Sequence, residues 1–292
     1  MPFASRAVPP ATSVDRDDFL DRGAGARLGP AEAAVFETFV VPRYLSLFGD
    51  AVLELLTEID DAQVAHVGCR TGFPDRGVAL KLHGAHIYGC DASSFAVELA
   101  RTKAATMPDL VADYRVADTL PVPLPAASFS HAMTLHPQGD LTERTLLWTE
   151  LGRLLAPNGQ VVVAMPVRGS FQEIADLLRE YALKNDVTDL AAAVDAMAQG
   201  RPSVEMFGAE LEDVGFRFVD IVSRTHVVKF QGGRDVFEDP LMRLLVLPQI
   251  ARDLGPGRHG KPFAYVREAI DKYWSDGPFE LTVQVGAVTA RR

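Results

Sequence analysis

Two glycines set four residues apart, Gly68 and Gly72, follow a short apolar run in the segment AHVGCRTGFPD, residues 65–75. Glycine lets a backbone come close to a ligand, and the N-terminus of a following helix favours negative charge. A turn of this kind is therefore a candidate loop for binding an anion or a nucleotide. The spacing alone is a weak signal, so the polar residues that follow it decide how the turn is interpreted.

Two acidic side chains follow the next apolar runs. Asp91 comes about twenty residues after the turn, at the predicted end of a strand, where a carboxylate accepts both hydroxyl groups of a ribose. Asp118 follows a third apolar run, where a side chain can reach the edge of an adenine base. Because the carboxyl ends of parallel strands meet at one crevice, we expect both aspartates to lie beside the glycine turn.

His136 is the candidate for proton transfer. It ends a fourth apolar run and precedes Pro137, so it is placed at the same crevice. There a histidine can serve as a general base that deprotonates a nucleophilic oxygen or carbon atom. The alternative is a histidine that only occupies a turn. His131 lies inside the same run, and we expect it to be packed or exposed on a face of the sheet.

The elements that must position these residues alternate between short apolar runs and amphipathic segments. Strands are predicted at residues 64–67, 85–89, 111–116, 129–135 and 160–166, with helices at 75–83, 94–106 and 140–155. Strands separated by such helices imply βαβ units, and their nearly apolar composition indicates burial on both faces. The sequence therefore predicts an α/β fold with a mostly parallel sheet covered by helices on both faces.

The flanking segments are mainly helical. Residues 1–30 are predicted to form a flexible arm, and residues 31–57 a helical extension that is interrupted near Pro42. Later helices are predicted at 171–184, 190–199 and 203–216, strands at 218–228 and 279–290, and a helical insert at 232–276 between those strands. Nothing in the sequence indicates a second domain, so we expect residues 31–292 to form a single domain.

Composition excludes some classes of partner. The net charge is −10 without any block of lysine and arginine, which argues against nucleic acid, because affinity for its backbone comes from clustered positive charge. No run approaches the roughly 18 apolar residues that span a bilayer, and the N-terminus lacks an apolar signal region. We therefore expect a cytoplasmic protein without a membrane span. The two cysteines, Cys69 and Cys90, provide no disulfide framework, and no metal site is predicted.

The glycine turn, the two aspartates and the segment RLLAPNG at residues 153–159 resemble the class I S-adenosylmethionine-dependent methyltransferases, in particular those that act on quinones and other small molecules. The resemblance spans about residues 36–166. It implies a Rossmann-like seven-stranded sheet with an antiparallel last strand, a cofactor-binding half at residues 58–166 and a substrate or lid half at residues 167–292. It also implies that Gly68 and Gly72 contact S-adenosylmethionine, with Asp91 at its ribose and Asp118 at its adenine.

Two residues of the loop depart from the family pattern. His66 replaces an acid that faces the methionine ammonium group; a neutral histidine still accepts a hydrogen bond there, whereas a protonated one repels the ammonium. Arg70 replaces the middle glycine. Its side chain has three open positions: within the cofactor volume, paired with the cofactor's carboxylate, or outward in solvent. Both residues stay among the predicted cofactor-binding residues.

The implied activity is methyl transfer from S-adenosylmethionine to a small, hydrophobic acceptor. The alternative is a methyltransferase fold that has lost its cofactor and serves a protein partner as a binding or scaffolding subunit. His66 and Arg70 favour this alternative, whereas Asp91 and Asp118 favour the enzyme. The apolar helical segment at residues 237–254 is interpreted as a lid over the acceptor or as a packed face, including that of a homodimer.

Overall fold

A computed structural model of the protein describes residues 27–292. Its seven strands are β1 (Gln63–Val67), β2 (His86–Asp91), β3 (Val111–Val116), β4 (Phe129–Leu135), β5 (Leu155–Pro166), β6 (Arg217–Phe230) and β7 (Phe279–Arg291). They form one sheet in the order β3-β2-β1-β4-β5-β7-β6. Strand β1 pairs in parallel with β2 and β4, and β7 runs antiparallel to both β5 and β6.

The helices before β5 are α1 (Pro30–Val35), α2 (Phe36–Leu45, π-helical), α3 (Ser46–Leu55), α4 (Asp75–Lys81), α5 (Ser94–Ala105) and α6 (Leu141–Leu154). Those after β5 are α7 (Gln172–Lys184), α8 (Thr188–Gly200), α9 (Val204–Asp213), α10 (Gly233–Glu238), α11 (Met242–Val246, π-helical), α12 (Leu247–Leu254) and α13 (Gly260–Tyr273). Helices α10–α13 are the insert between β6 and β7.

Alternation along β1 divides the core between the two faces of the sheet. Val64 packs into a cluster with α3 and the helices after β5, while Ala65 packs into a cluster that contains Trp148 and Phe207. A strand with both faces covered favours apolar residues on both faces. In β1, three of the five residues are apolar and buried, and they lie on both faces. The predicted Rossmann-like α/β fold, with a seven-stranded, mostly parallel sheet and an antiparallel last strand, is confirmed.

Local signals set the starts of the helices that flank the site. The Ser93 side chain accepts a hydrogen bond from the Ala96 amide and caps α5. Helix α6 starts with a capping box, in which Asp140 accepts from the Glu143 amide and the Glu143 side chain accepts from the Asp140 amide. These caps satisfy amides that would otherwise lack partners, and they fix where the loops after β2 and β4 end.

The structure differs from the sequence-based elements at two places. The predicted interruption near Pro42 is wrong, because the helical path from Pro30 to Leu55 continues through it in the π-helical α2. Proline lacks an amide hydrogen and clashes with the carbonyl four residues earlier, and the wider π turn accommodates both defects. Strand β5 begins at Leu155, five residues before the predicted start at residue 160, so residues 157–159 lie inside the strand.

The predicted flexible arm, residues 1–30, lies mostly outside the described residues. Its described end packs on the sheet: Arg27 pairs with Asp118 at 2.6 Å, and the Leu28 carbonyl accepts from the Ser93 hydroxyl at 2.8 Å. Within residues 27–292, no helix is long and apolar enough to cross a membrane.

Candidate functional site

A cavity of about 340 Å³ lies at the carboxyl ends of β1, β2 and β4, and we name it the loop cavity because the loop after β1 forms one wall. Gly68, Arg70, Asp91 and Asp118 all line it. Strand β1 lies between β2 and β4. The strands that follow β1 in sequence are therefore added first on one side of it and then on the other. This is the switch point at which open α/β sheets bind ligands. The volume also falls in the range of roughly 300–1,000 Å³ that is typical of ligand sites.

The loop after β1 is fastened to the end of β2. The Cys90 carbonyl accepts from the Gly68 amide at 2.8 Å and from the Cys69 amide at 3.1 Å. Gly68 has φ +73°, a conformation in which a side chain is strained, so glycine is favoured here for the backbone turn. The Asp91 carboxylate accepts from the Arg70 amide at 2.9 Å and from the Ser93 amide at 2.8 Å. These contacts hold the carboxylate at the cavity wall.

Arg70 turns its side chain inward. Its Nη1 donates to the Leu135 carbonyl and its Nη2 to the His136 carbonyl, both at 2.8 Å, and its guanidinium lies 5.9 Å from the Phe36 ring centre. Burial lowers the pKa of the guanidinium below its ordinary value. With φ +46°, Arg70 adopts the left-handed conformation that the family glycine would adopt without strain. Of the three positions left open by the sequence, outward in solvent is therefore wrong.

His66 and Gly72 lie behind the loop and are not among the described residues that line the loop cavity. His66 Nδ1 contacts Asp75 Oδ1 at 2.7 Å, and Asp75 Oδ2 accepts from the Tyr114 hydroxyl at 2.7 Å. All three side chains are buried. Gly72 packs so closely on this network that an added Cβ would lie 3.0 Å from the Tyr114 hydroxyl. His66, Asp75 and Tyr114 thus form a buried polar network behind the loop.

A second cavity of about 560 Å³ adjoins the first, and we name it the helical cavity because α8, α11 and α12 form much of its wall. His136 lines it. Its Nε2 lies 2.9 Å from the Tyr44 hydroxyl, and its Nδ1 is buried without a hydrogen-bond partner among residues 27–292. Burial, followed by the charge of Arg70, lowers the pKa of His136 to about 3. The imidazole is therefore neutral at physiological pH.

The two cavities share a wall. The residues that line both are Pro137, Gln138, Glu143, Leu245 and Arg252. They come from the loop after β4, from α6 and from the helical insert, so the insert covers both cavities. A ligand in one cavity would therefore lie next to a ligand in the other.

The sequence did not single out three polar residues of this region. Asp75 begins α4, nine residues after His66, and this nearby acid was the available signal for the pair. Tyr44 reaches His136 from α2 across 92 residues. Arg201, directly after α8, lines the helical cavity, and no local spacing marks it. Among residues 27–292, no group of His, Cys, Asp and Glu side chains is arranged to hold a metal ion.

The comparisons with known proteins identify what this fold resembles. Residues 65–163 match the model of a methyltransferase domain family. Among solved structures, YcgJ from Bacillus subtilis is 12% identical, with 85% of this chain and 98% of that chain covered, at a TM-score of 0.53. A putative methyltransferase from Bacillus halodurans is 14% identical, with 83% and 97% covered, at a TM-score of 0.51.

A further solved structure is longer than this chain. Phosphoethanolamine N-methyltransferase 2 from Haemonchus contortus, in complex with phosphomonomethylethanolamine and S-adenosylhomocysteine, is 15% identical at a TM-score of 0.54. The match covers 96% of this chain and 61% of that chain. No curated protein matches the sequence. At such identities the structural likeness concerns the fold.

Proposed function

We propose that this chain, of which residues 65–163 match a methyltransferase domain family, transfers a methyl group from S-adenosylmethionine to a small, hydrophobic acceptor. The observation that carries the proposal is the wall shared by the loop cavity and the helical cavity. A methyl donor in the first is thereby adjacent to an acceptor in the second. Adjacent binding converts a reaction between two solutes into one within a complex, which lowers its entropic barrier.

The residues of the loop cavity fit the cofactor. S-adenosylmethionine supplies an electrophilic methyl group on a sulfonium when it is bound. We assign the Asp91 carboxylate to the ribose hydroxyls, because two backbone amides already orient it and a carboxylate has further lone pairs. Asp118 lies farther out, paired with Arg27, and we assign it to the adenine side. Gly68 supplies the close backbone approach.

Arg70 is assigned to the methionine end of the cofactor. Its guanidinium has five N–H groups, and the hydrogen bonds to Leu135 and His136 leave others unused. A fixed, buried guanidinium at the cavity wall is a suitable partner for the methionine carboxylate. These two hydrogen bonds keep the Arg70 guanidinium inside the site. The arginine in place of the family's middle glycine is therefore compatible with cofactor binding.

His136 is assigned as the general base. Burial keeps the Tyr44 hydroxyl protonated by raising its pKa, and this hydroxyl lies against Nε2. When Nε2 carries the imidazole hydrogen and donates it to the Tyr44 oxygen, Nδ1 retains a lone pair that can take a proton from the acceptor. General-base catalysis is most efficient when the pKa of the base lies near the operating pH, so a pKa of about 3 limits the contribution of His136 to the rate.

Calorimetry with S-adenosylmethionine and S-adenosylhomocysteine tests the cofactor assignment. We expect both to bind the wild-type chain, and Asp91→Ala to weaken each by about 10- to 100-fold, as the loss of hydrogen bonds to a charged group implies. Arg234→Gln, at an exposed position of α10, is the control and should bind as the wild type does.

A panel of small apolar acceptors with labelled S-adenosylmethionine then tests transfer. Transfer that His136→Asn reduces supports the enzyme. No heat and no thermal shift of the wild-type chain at millimolar cofactor would refute the proposal and leave the scaffolding alternative.

A further inference from the structure

We propose that the helical cavity binds an acceptor that carries a carboxylate or phosphate group, and that Arg201 binds this group. The inference rests on the proposed function in one respect, namely that the occupant of this cavity is the methyl acceptor. It adds a chemical class to that acceptor, an apolar body with one anionic group, and it gives a role to a side chain that the proposed chemistry does not use.

Three arginines line the helical cavity, and two of them have acidic partners. Arg144 donates to both carboxylate oxygens of Glu210, at 3.0 Å and 2.7 Å. Arg252 lies 3.3 Å from a Glu143 oxygen and 3.7 Å from an Asp253 oxygen. Both charges therefore already have carboxylate partners within the protein.

Arg201 differs from both. Within residues 27–292 its guanidinium makes no hydrogen bond and no ion pair; it lies over the Phe171 ring, 4.9 Å from the ring centre. Burial lowers its pKa below the ordinary value, although an arginine in a protein stays charged. The charge of Asp253 acts on Arg201 without an ion-pair contact, so an anionic ligand group that contacts the guanidinium directly offsets the remaining cost of its desolvation. The guanidinium packs over the Phe171 ring, and its paired N–H groups suit a bidentate contact with an oxyanion.

The rest of the cavity indicates what is attached to the anion. Apolar side chains contributed by α6, β5, α8 and α11 form much of its surface, among them Leu141, Met165, Met197 and Val246. Such a surface favours an aromatic or aliphatic body. Arg201 also acts on the candidate base, since its charge contributes to the lowered pKa of His136. An acceptor anchored at Arg201 is therefore held near the imidazole.

Binding of small probes to the full-length chain tests the inference without knowledge of the true acceptor. Benzoate, phenyl phosphate and inorganic phosphate are compared with neutral benzamide by calorimetry and ligand-observed NMR. We expect at least one aromatic anion to bind about tenfold or more tightly than benzamide. Arg201→Gln should abolish this preference, and Arg201→Lys should retain part of it because the charge remains. Benzoate against phenyl phosphate distinguishes a carboxylate site from a phosphate site.

Arg234→Gln is the matched control, because it removes an arginine from the exposed surface outside the cavity, and it should keep the wild-type preference. The inference is overturned if no anion binds the wild-type chain more tightly than benzamide, or if a folded Arg201→Gln variant keeps the preference. If that variant does not fold, Arg201→Lys replaces it: partial loss of the preference is expected because the paired donors are gone, and an unchanged preference contradicts the inference. Each titration is run with and without S-adenosylhomocysteine. A failure of cofactor binding is thereby distinguished from a failure of anion binding at Arg201.

Discussion

Arg70 donates from Nη2 to the carbonyl oxygen of His136 at 2.8 Å, which joins the loop after β1 to the end of β4. The contact crosses 66 positions of sequence and places a cation where the two cavities meet. The same two residues hold opposite roles in the proposed site, since one contributes a fixed positive charge and the other a neutral base. The lowered pKa of His136 follows in part from this proximity.

Arg70→Gly restores the glycine usual in the family, and we expect it to separate two effects. The variant should bind S-adenosylhomocysteine about tenfold or more weakly, because the partner of the methionine carboxylate is lost. Affinity for 5′-methylthioadenosine, which lacks the amino-acid part, should change little. Calorimetry with both ligands measures the difference.

An equal loss of affinity for the two ligands would contradict the assignment of Arg70 to the carboxylate. Arg70→Lys is the control for charge, because it keeps the cation but not the paired donors. Its affinity for S-adenosylhomocysteine should lie between those of the other two proteins.

The two glycines of the loop should respond differently to alanine. At Gly72, with φ +78°, an added Cβ lies 3.0 Å from the Tyr114 hydroxyl and 3.1 Å from Ala100, so overpacking adds to backbone strain. We expect Gly72→Ala to lower the free energy of unfolding by about 2–4 kcal/mol. At Gly68 the nearest atom lies at 3.6 Å, so only strain of about 1–2 kcal/mol is expected. Urea denaturation compares the two; a larger loss at Gly68 would contradict the packing argument.

His136 should make the free energy of unfolding depend on pH in the acidic range, below the ordinary pKa of a histidine. Folded His136 has a pKa of about 3, whereas in the unfolded chain it titrates near about 6.5. Between these values the unfolded state binds the extra proton, so the free energy of unfolding falls as pH drops from about 6.5 to about 3. His136→Asn should remove this component of the slope. Asparagine also tolerates the φ of +47° at this position.

The same pKa predicts the pH profile of the reaction. The His136 ring signals in NMR should not titrate between pH 5 and pH 8, and the rate should show no ionisation of a histidine there. A His136 titration near pH 6.5 in the folded protein would show that the imidazole is not desolvated as described.

The buried pair Arg144–Glu210 should be a main contributor to stability near the helical cavity. Both side chains are under a tenth exposed, and Glu210 also accepts from the Trp148 indole at 3.1 Å. Glu210→Gln leaves the guanidinium charge uncompensated, so we expect a loss of about 3–5 kcal/mol in chemical denaturation. Glu238→Gln breaks an exposed pair with Arg234 and should cost at most about 1 kcal/mol. Similar losses in both variants would contradict the argument from burial.

The sequence predicted the sheet well because short apolar runs between helices have few alternative arrangements. It also placed Asp91 and Asp118 at the site, since both follow strands whose ends meet. The direction of the Arg70 side chain was beyond prediction, because it depends on carbonyl groups of residues 135 and 136 that only the pairing of β4 with β1 brings near. The sequence did not predict a role for Arg201 for a similar reason. Its neighbours, Phe171 and the helical insert, are distant in sequence.

Strands β6 and β7 pair at Phe230 and Phe279, so the insert between them starts and ends at neighbouring positions. A loop whose ends are already joined pays little for added length, on the order of 0.6 kcal/mol for each doubling. The length of this segment can therefore change without altering β1, β2 and β3, whose carboxyl ends position Gly68, Asp91 and Asp118. We therefore expect residues 231–278 to diverge faster than residues 58–166, and the proposed acceptor specificity to diverge with them.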